Sequence, residues 1–191
     1  MHKTTVALGL ACSAAVAAAT GFGLKQGLWQ SRIVKQVVDG RDVTAQVAAA
    51  SAELEQAMAT MAPEQRARMQ AMMVEHSGQT LGSSGNTRMC VSADEARRDL
   101  PIVDRERRCQ PAAVERSGAR TTFTINCTSN GVLTTGKGEA VAARDLITST
   151  VDLNTRTANG AKHVLHNETE LKYLGADCGS VKPPLLPKAP R

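Results

Sequence analysis

Five of the seven methionines of this chain, Met58, Met61, Met69, Met72 and Met73, crowd into one short segment. A thioether is a soft donor that suits Cu(I), and His76 stands at the end of the same segment, so one chemistry these residues suggest is copper or other metal handling. Met is equally a flexible filler of cores and an adaptable contact for apolar partners. The same five residues therefore also read as packing, or as a contact surface for an apolar small molecule, a lipid or an envelope protein. His163 and His166 lie three apart in a stretch that alternates like a strand, which turns them to opposite faces and prevents a shared metal. Asp177, beside Cys178, has the side chain of an acid catalyst, but an Asp in such a setting usually accepts backbone N–H groups in a turn.

The run Gly131 to Gly138 nearly matches the phosphate-binding P-loop. The Ser or Thr that would hold magnesium is replaced after Lys137 by Gly138, and a strand follows where a helix should begin, so a hairpin is expected. No Gly-x-Ser-x-Gly elbow, His-Glu-x-x-His helix or convincing carboxylate pair is present. Catalysis would need a site assembled in space, and a hydrolase of that kind is the enzymatic alternative. No catalytic, cofactor or metal residue is assigned.

The cysteines bear on compartment. Met1 to Ala19 has a basic start at His2 and Lys3, an apolar run from Val6, and small residues at Ala17 and Ala19, the pattern of a cleaved export signal. The run is too short to span a bilayer, for which about 20 residues are needed. Leu10-Ala11-Cys12 is a poor lipobox, with Gly9 where a Leu belongs, so Cys12 is expected to leave with the signal. Cys90, Cys109, Cys127 and Cys178 remain, an even number in an exported chain, which argues for two disulfides. Three pairings are formally possible. The expected one joins Cys90 to Cys109 and Cys127 to Cys178, whose Cα atoms should lie about 5–6 Å apart on the first and last strands of a meander.

Charge and composition exclude other classes. The net charge is +5, one less without Lys3, and the densest basic patch, Arg105, Arg107 and Arg108, is interleaved with Asp104 and Glu106. The aromatic residues are Phe22, Trp29, Phe123 and Tyr173, too few for a base-stacking platform. Nucleic acid is therefore not an expected partner.

These residues need elements to hold them. Gly27 to Val38 reads as a strand stopped by the turn Asp39-Gly40. The period then becomes helical, with Val43, Val47, Leu54, Met58 and Met61 on one side, a break at Pro63, and a second helix to His76 that puts Met69, Met72, Met73 and His76 together. Residues 77–86 read as a flexible loop, Thr87 to Val91 as a strand, and Ser92-Ala93-Asp94-Glu95 as a capping box opening a helix that Pro101 stops. Cys109 to Arg116 reads as a strand turning at Ser117-Gly118. A meander follows: Phe123, Ile125 and Cys127 share one face of its first strand, Ser129-Asn130-Gly131 turns, and further strands cover Gly136–Ala143, Ile147–Thr155 and Lys162–Leu174. Pro183 to Arg191 cannot join a ladder and reads as a tail.

Taken together, several stretches resemble a known family. They are Gly27-Leu28-Trp29, Met61-Ala62-Pro63-Glu64-Gln65-Arg66-Ala67, Met89-Cys90-Val91, Phe123 to Cys127, Gly136-Lys137-Gly138-Glu139 and the closing Leu174-Gly175-Ala176-Asp177-Cys178-Gly179. Across nearly the whole mature chain they resemble the domain of unknown function 3617 family. The resemblance implies exported proteins, mostly of Gram-negative bacteria, and carries over no catalytic residues.

The sequence thus predicts a mainly β, α+β fold over residues 20–182. Its antiparallel meander would curl into a partial or closed small barrel, with a helical hairpin inserted over residues 43–76. A non-catalytic binding or envelope-maintenance role is expected, with an apolar ligand on the Val-, Ile- and Leu-bearing inner face.

Overall fold

The computed structural model describes residues 24–77, 79–82, 85–97 and 113–183. The expected signal over 1–19, Cys12, the Pro101 stop, the arginine-rich stretch 105–108, Cys109, the tail from 184 and the side chain of His76 lie outside the described residues.

The elements in chain order are β1 (Gly27–Val38), β2 (Arg41–Asp42), α1 (Thr44–Thr60), α2 (Pro63–Ser77), β3 (Thr80–Leu81), β4 (Thr87–Val91) and α3 (Ala93–Ala96). Then come β5 (Val114–Ser117), β6 (Arg120–Ser129), β7 (Val132–Ala143), β8 (Leu146–Arg156) and β9 (Lys162–Gly175). The strands form one antiparallel sheet in the order β3-β4-β1-β9-β8-β7-β6-β5, with β2 as a short hairpin partner of β1. The meander is present as expected, but it does not close into a barrel, because β3 and β5 stand at opposite ends of the sheet. β1, the first of the described strands, sits inside the sheet, between β4 and β9.

β7 begins at Val132 rather than Gly136. Asn130 (φ 49°) and Gly131 (φ 76°) both take left-handed angles, the two-residue turn that matches strand twist, so Ser129 pairs with Val132 and the ladder resumes at once. Part of the expected loop 77–86 is also a strand: Thr80 and Leu81 pair with Arg88 and Thr87, and the Thr80 side chain is buried.

Cross-strand partners share a face, which divides the sheet in two. One face carries Trp29 with Tyr173, then Ala142-Ile147-Leu171, Thr121-Ala140-Ser149-Thr169, Phe123-Gly138-Val151-Asn167 and Ile125-Gly136-Leu153-Leu165. This apolar face holds the core of Trp29, Val91, Ala140 and Ile147, packed by Leu24, Met89, Ala96, Leu171 and Tyr173. The Trp29 indole N–H donates to the Lys25 carbonyl at 2.8 Å, and the Tyr173 ring meets it edge-on at 5.2 Å, with the Tyr173 hydroxyl donating to the Gln26 carbonyl at 3.1 Å. Burying these rings is favourable because each polar tip keeps a partner.

The helical hairpin is tied to β1 by its start. The Val43 N–H donates to the Gln36 carbonyl at 2.9 Å, and the Thr44 hydroxyl accepts from the Gln36 N–H at 2.8 Å. In α1 only Met58 is buried, and Leu54, expected beside it, is 43% exposed. The inward side runs instead through Val47, Ser51 and Glu55 to Met58. Small residues let the neighbouring loop come close: a side chain on Gly85 would stand 3.3 Å from the Ser51 Cβ, so close packing sets the helix rotation and the position of Leu54 follows. No basic residue lies in the last turn of α1. Arg66 of α2 reaches across and donates to the carbonyls of Met58, Ala59 and Met61 at 2.9–3.2 Å, satisfying groups a helix end leaves open.

Cys90 is joined to Cys178, with Cα atoms 5.5 Å apart, and not to Cys109; the expected Cys127–Cys178 bond is likewise absent. The reason is β1. Cys90 of β4 and Gly175 at the end of β9 both pair with Leu28, so the segment following β9 arrives beside Cys90. Cys127 pairs with Thr134 at the other end of the sheet, near the Asn130-Gly131 turn. It too is disulfide-bonded.

Candidate functional site

The face opposite the core is built from the alternate residues of the same strands. Across β7, β8 and β9 its rows read Leu133-Arg156-Lys162, Thr135-Asn154-Val164, Lys137-Asp152-His166 and Glu139-Thr150-Glu168. Two grooves over the described residues are lined mainly by these polar-face residues. The larger, of about 530 Å3, lies over β5 to β8 and is floored by Thr122, Thr124, Lys137, Glu139, Thr150 and Asp152. The smaller, of about 350 Å3, lies at the hairpin end over Leu133, Asn154, Arg156, Lys162 and Val164.

Between them stands the most acid–base-competent group on this face. His166 contacts Asp152 through Nδ1 at 2.8 Å and Glu168 through Nε2 at 3.1 Å. An ionised carboxylate can only accept, so the two contacts together favour a ring that carries a proton on both nitrogens. Asp152, and after it Glu168, push the His166 imidazole above its ordinary value. A general base needs a free ring nitrogen aimed at a nucleophile, and here both are taken. His163 faces the other way, toward Asp39, at 2.8 Å. The hydrogen bond from His163, with a second from the Val164 N–H, holds Asp39 below the usual carboxylate range. The two histidines do not converge, as the alternation required.

The methionines divide by environment. Met58 is buried, Met61, Met69 and Met73 are half-buried, and Met72 is 48% exposed. Met58 and Met61 lie at the α1 end that Arg66 crosses. Among the described residues no cluster of three His, Cys, Asp or Glu side chains is placed to hold a metal ion. Asp177 accepts from the Gly179 N–H at 2.8 Å, the role of a turn residue. Lys137, the lysine of the near-miss P-loop, lies within β7 on the polar face.

Sequence reasoning missed Leu133, Val164, Arg156 and Lys162. A usable signal was present. Arg156 and Lys162 are equidistant from Asn159 in the Ala158-Asn159-Gly160 turn, so a hairpin centred there must place them opposite one another. On the apolar face, two further polar atoms were not legible: the Gln36 Oε1 and Asn167 Oδ1 oxygens, on cross-strand partners, are shielded from solvent without a hydrogen-bond partner.

No helix of the described residues is long and apolar enough to cross a membrane. Comparison with curated proteins and with solved structures finds no match. Residues 24–178, from just before β1 to the cysteine that closes the disulfide, match the model of a family described as protein of unknown function, and the chain belongs to that family, DUF3617.

Proposed function

We propose that this chain is an extracytoplasmic, non-catalytic binding domain whose ligand is an amphiphilic small molecule or lipid, taken up on the polar face of the sheet. The observation that carries the reading is the pair of aliphatic side chains left open there. Leu133 is 39% and Val164 50% exposed, and both line a groove among polar and charged neighbours. An apolar floor with a few placed polar groups is what a small-molecule site offers. The export-like leader and the Cys90–Cys178 bond support an oxidising compartment. The occupied ring of His166 argues against a hydrolase, because its proton-accepting positions are already spent on carboxylates.

Native mass spectrometry of protein recovered from the periplasm of a Gram-negative host tests this. The expected result is a mature chain lacking the leader and carrying an added mass that organic solvent releases as an amphiphile. A chain of bare mass, unchanged after incubation with dodecanoate and with lysophospholipid, overturns the reading.

A further inference from the structure

The hairpin between β8 and β9 contains a local conflict. Arg156 and Lys162 are direct cross-strand partners on the polar face. Like charges so placed repel and weaken the pair that holds them. Among the described residues neither side chain has an ion-pair or hydrogen-bond partner. Local carboxylates do not relieve them. Asp152 is four residues back along β8, about 13 Å away at strand rise, and is engaged by His166. Asp39 is taken by His163 and the Val164 N–H.

The turn does not let the two cations drift apart. The Thr157 N–H donates to the Ala161 carbonyl at 2.9 Å, the Gly160 N–H donates to the Thr157 carbonyl at 2.9 Å, and the Asn159 side chain accepts from the Thr157 hydroxyl and the Ala161 N–H. The residues flanking this turn are therefore held in register, with Leu133 beside Arg156 in one row and Val164 in the next. All four line the same groove of about 350 Å3.

We propose that this groove is an anion-recognising subsite for a single-chain amphiphile. A carboxylate or phosphate head sits between Arg156 and Lys162, and the first part of the alkyl chain lies on Leu133 and Val164. Bound anion converts the like-charge repulsion, which solvent and salt only screen, into two attractions. The two side chains differ usefully, since Arg presents a planar fork to the head and Lys a point charge. The inference rests on the binding reading above and specifies the head group.

The test uses the mature protein, dodecanoate, dodecyl phosphate, dodecylammonium and inorganic phosphate, with NMR shifts of the Leu133 and Val164 methyl groups and the Arg156 Nε–H as readout. Both anionic amphiphiles are expected to bind about tenfold more tightly than dodecylammonium. That preference should shrink as salt is raised from about 0.05 M to about 0.5 M. Inorganic phosphate should shift only the Arg156 signal, and weakly; if it binds as tightly as dodecyl phosphate, the site is one for free anion and the proposal fails. Arg156→Gln with Lys162→Gln should abolish the preference. Arg156→Glu with Lys162→Glu should reverse it toward dodecylammonium, a result no misfolded chain gives. Equal binding of dodecanoate and dodecylammonium to the unmodified protein overturns the anion subsite and leaves amphiphile binding standing. No shift with any amphiphile overturns both.

Discussion

The two ends of the apolar face share the strands β7, β8 and β9 and have been closed to different degrees. At the Gly27 end, Trp29 is fully buried and Ile147 is 1% exposed, Tyr173 meets the indole, and Cys90–Cys178 ties the segment after β9 to β4. At the other end Ile125, Leu153 and Leu165 are only half-buried, and the row between the ends carries Gln36 and Asn167 with unpaired oxygens. Apolar composition is similar at both ends, so composition is not what closes a core. Closure follows where side chains interdigitate and every shielded polar group finds a partner. One end serves stability, and the other leaves the strands free to carry a groove on their opposite surface.

If that contrast is right, changes at the two ends differ in size and even in sign. Trp29→Ala is expected to cost about 3–5 kcal/mol, a large part of the roughly 5–15 kcal/mol a domain has, measured as the shift in urea unfolding. Leu153→Ala, at the half-closed end, should cost visibly less in the same assay; an equal cost breaks the comparison. Replacing Cys90 and Cys178 by Ser should cost about 2–4 kcal/mol, because the bond spans a sequence separation of 88 and its loss frees a long loop in the unfolded chain. Asn167→Leu should stabilise by about 1 kcal/mol, since an apolar group of similar size removes an acceptor that is buried without a partner. A loss of stability there would mean that the oxygen has a partner in solution.

The smallest effect is one of pH. The His166 imidazole is raised above its ordinary value of 6.5 by Asp152 and Glu168. A group raised in the folded state contributes stability that is fully present below its unfolded value and lost as pH climbs through the folded one. Unfolding followed from about pH 6 to about pH 9 should therefore show a small decline that His166→Gln removes, small because the ring and both carboxylates are partly solvated. An identical slope in the variant would assign the decline to other groups.

How much of this was readable in advance depends on how local each cause is. The existence and order of strands β6 to β9 followed from alternation and from turns such as Asn130-Gly131, signals confined to a dozen residues, although the start of β7 at Val132 did not. The place of β1 was not readable, because pairing Gly27–Val38 with Lys162–Gly175 leaves no mark on either segment. The disulfide error descends from that omission: with β1 left out, Cys178 falls near Cys127, and with β1 in place it reaches Cys90. The Leu54 error has another source, a helix turned by the close approach of small residues. The like-charged pair at Arg156 and Lys162 was legible by symmetry about Asn159, and alternation read for burial alone passed over it.

The interior position of β1, beside β9, also sets an order of events in time. A ribosome makes Gly27–Val38 first among the strands and Lys162–Gly175 last, yet these two pair along most of their length. Until β9 has been synthesised, β1 has no partner on that side, and the Cys90–Cys178 bond cannot form either. Contacts so distant in sequence slow folding, since a long loop must close before they reward it. The side of β1 that β9 covers therefore stays open until the final strand emerges. Pulse-labelled chains truncated before Lys162 should remain protease-sensitive however long they are left.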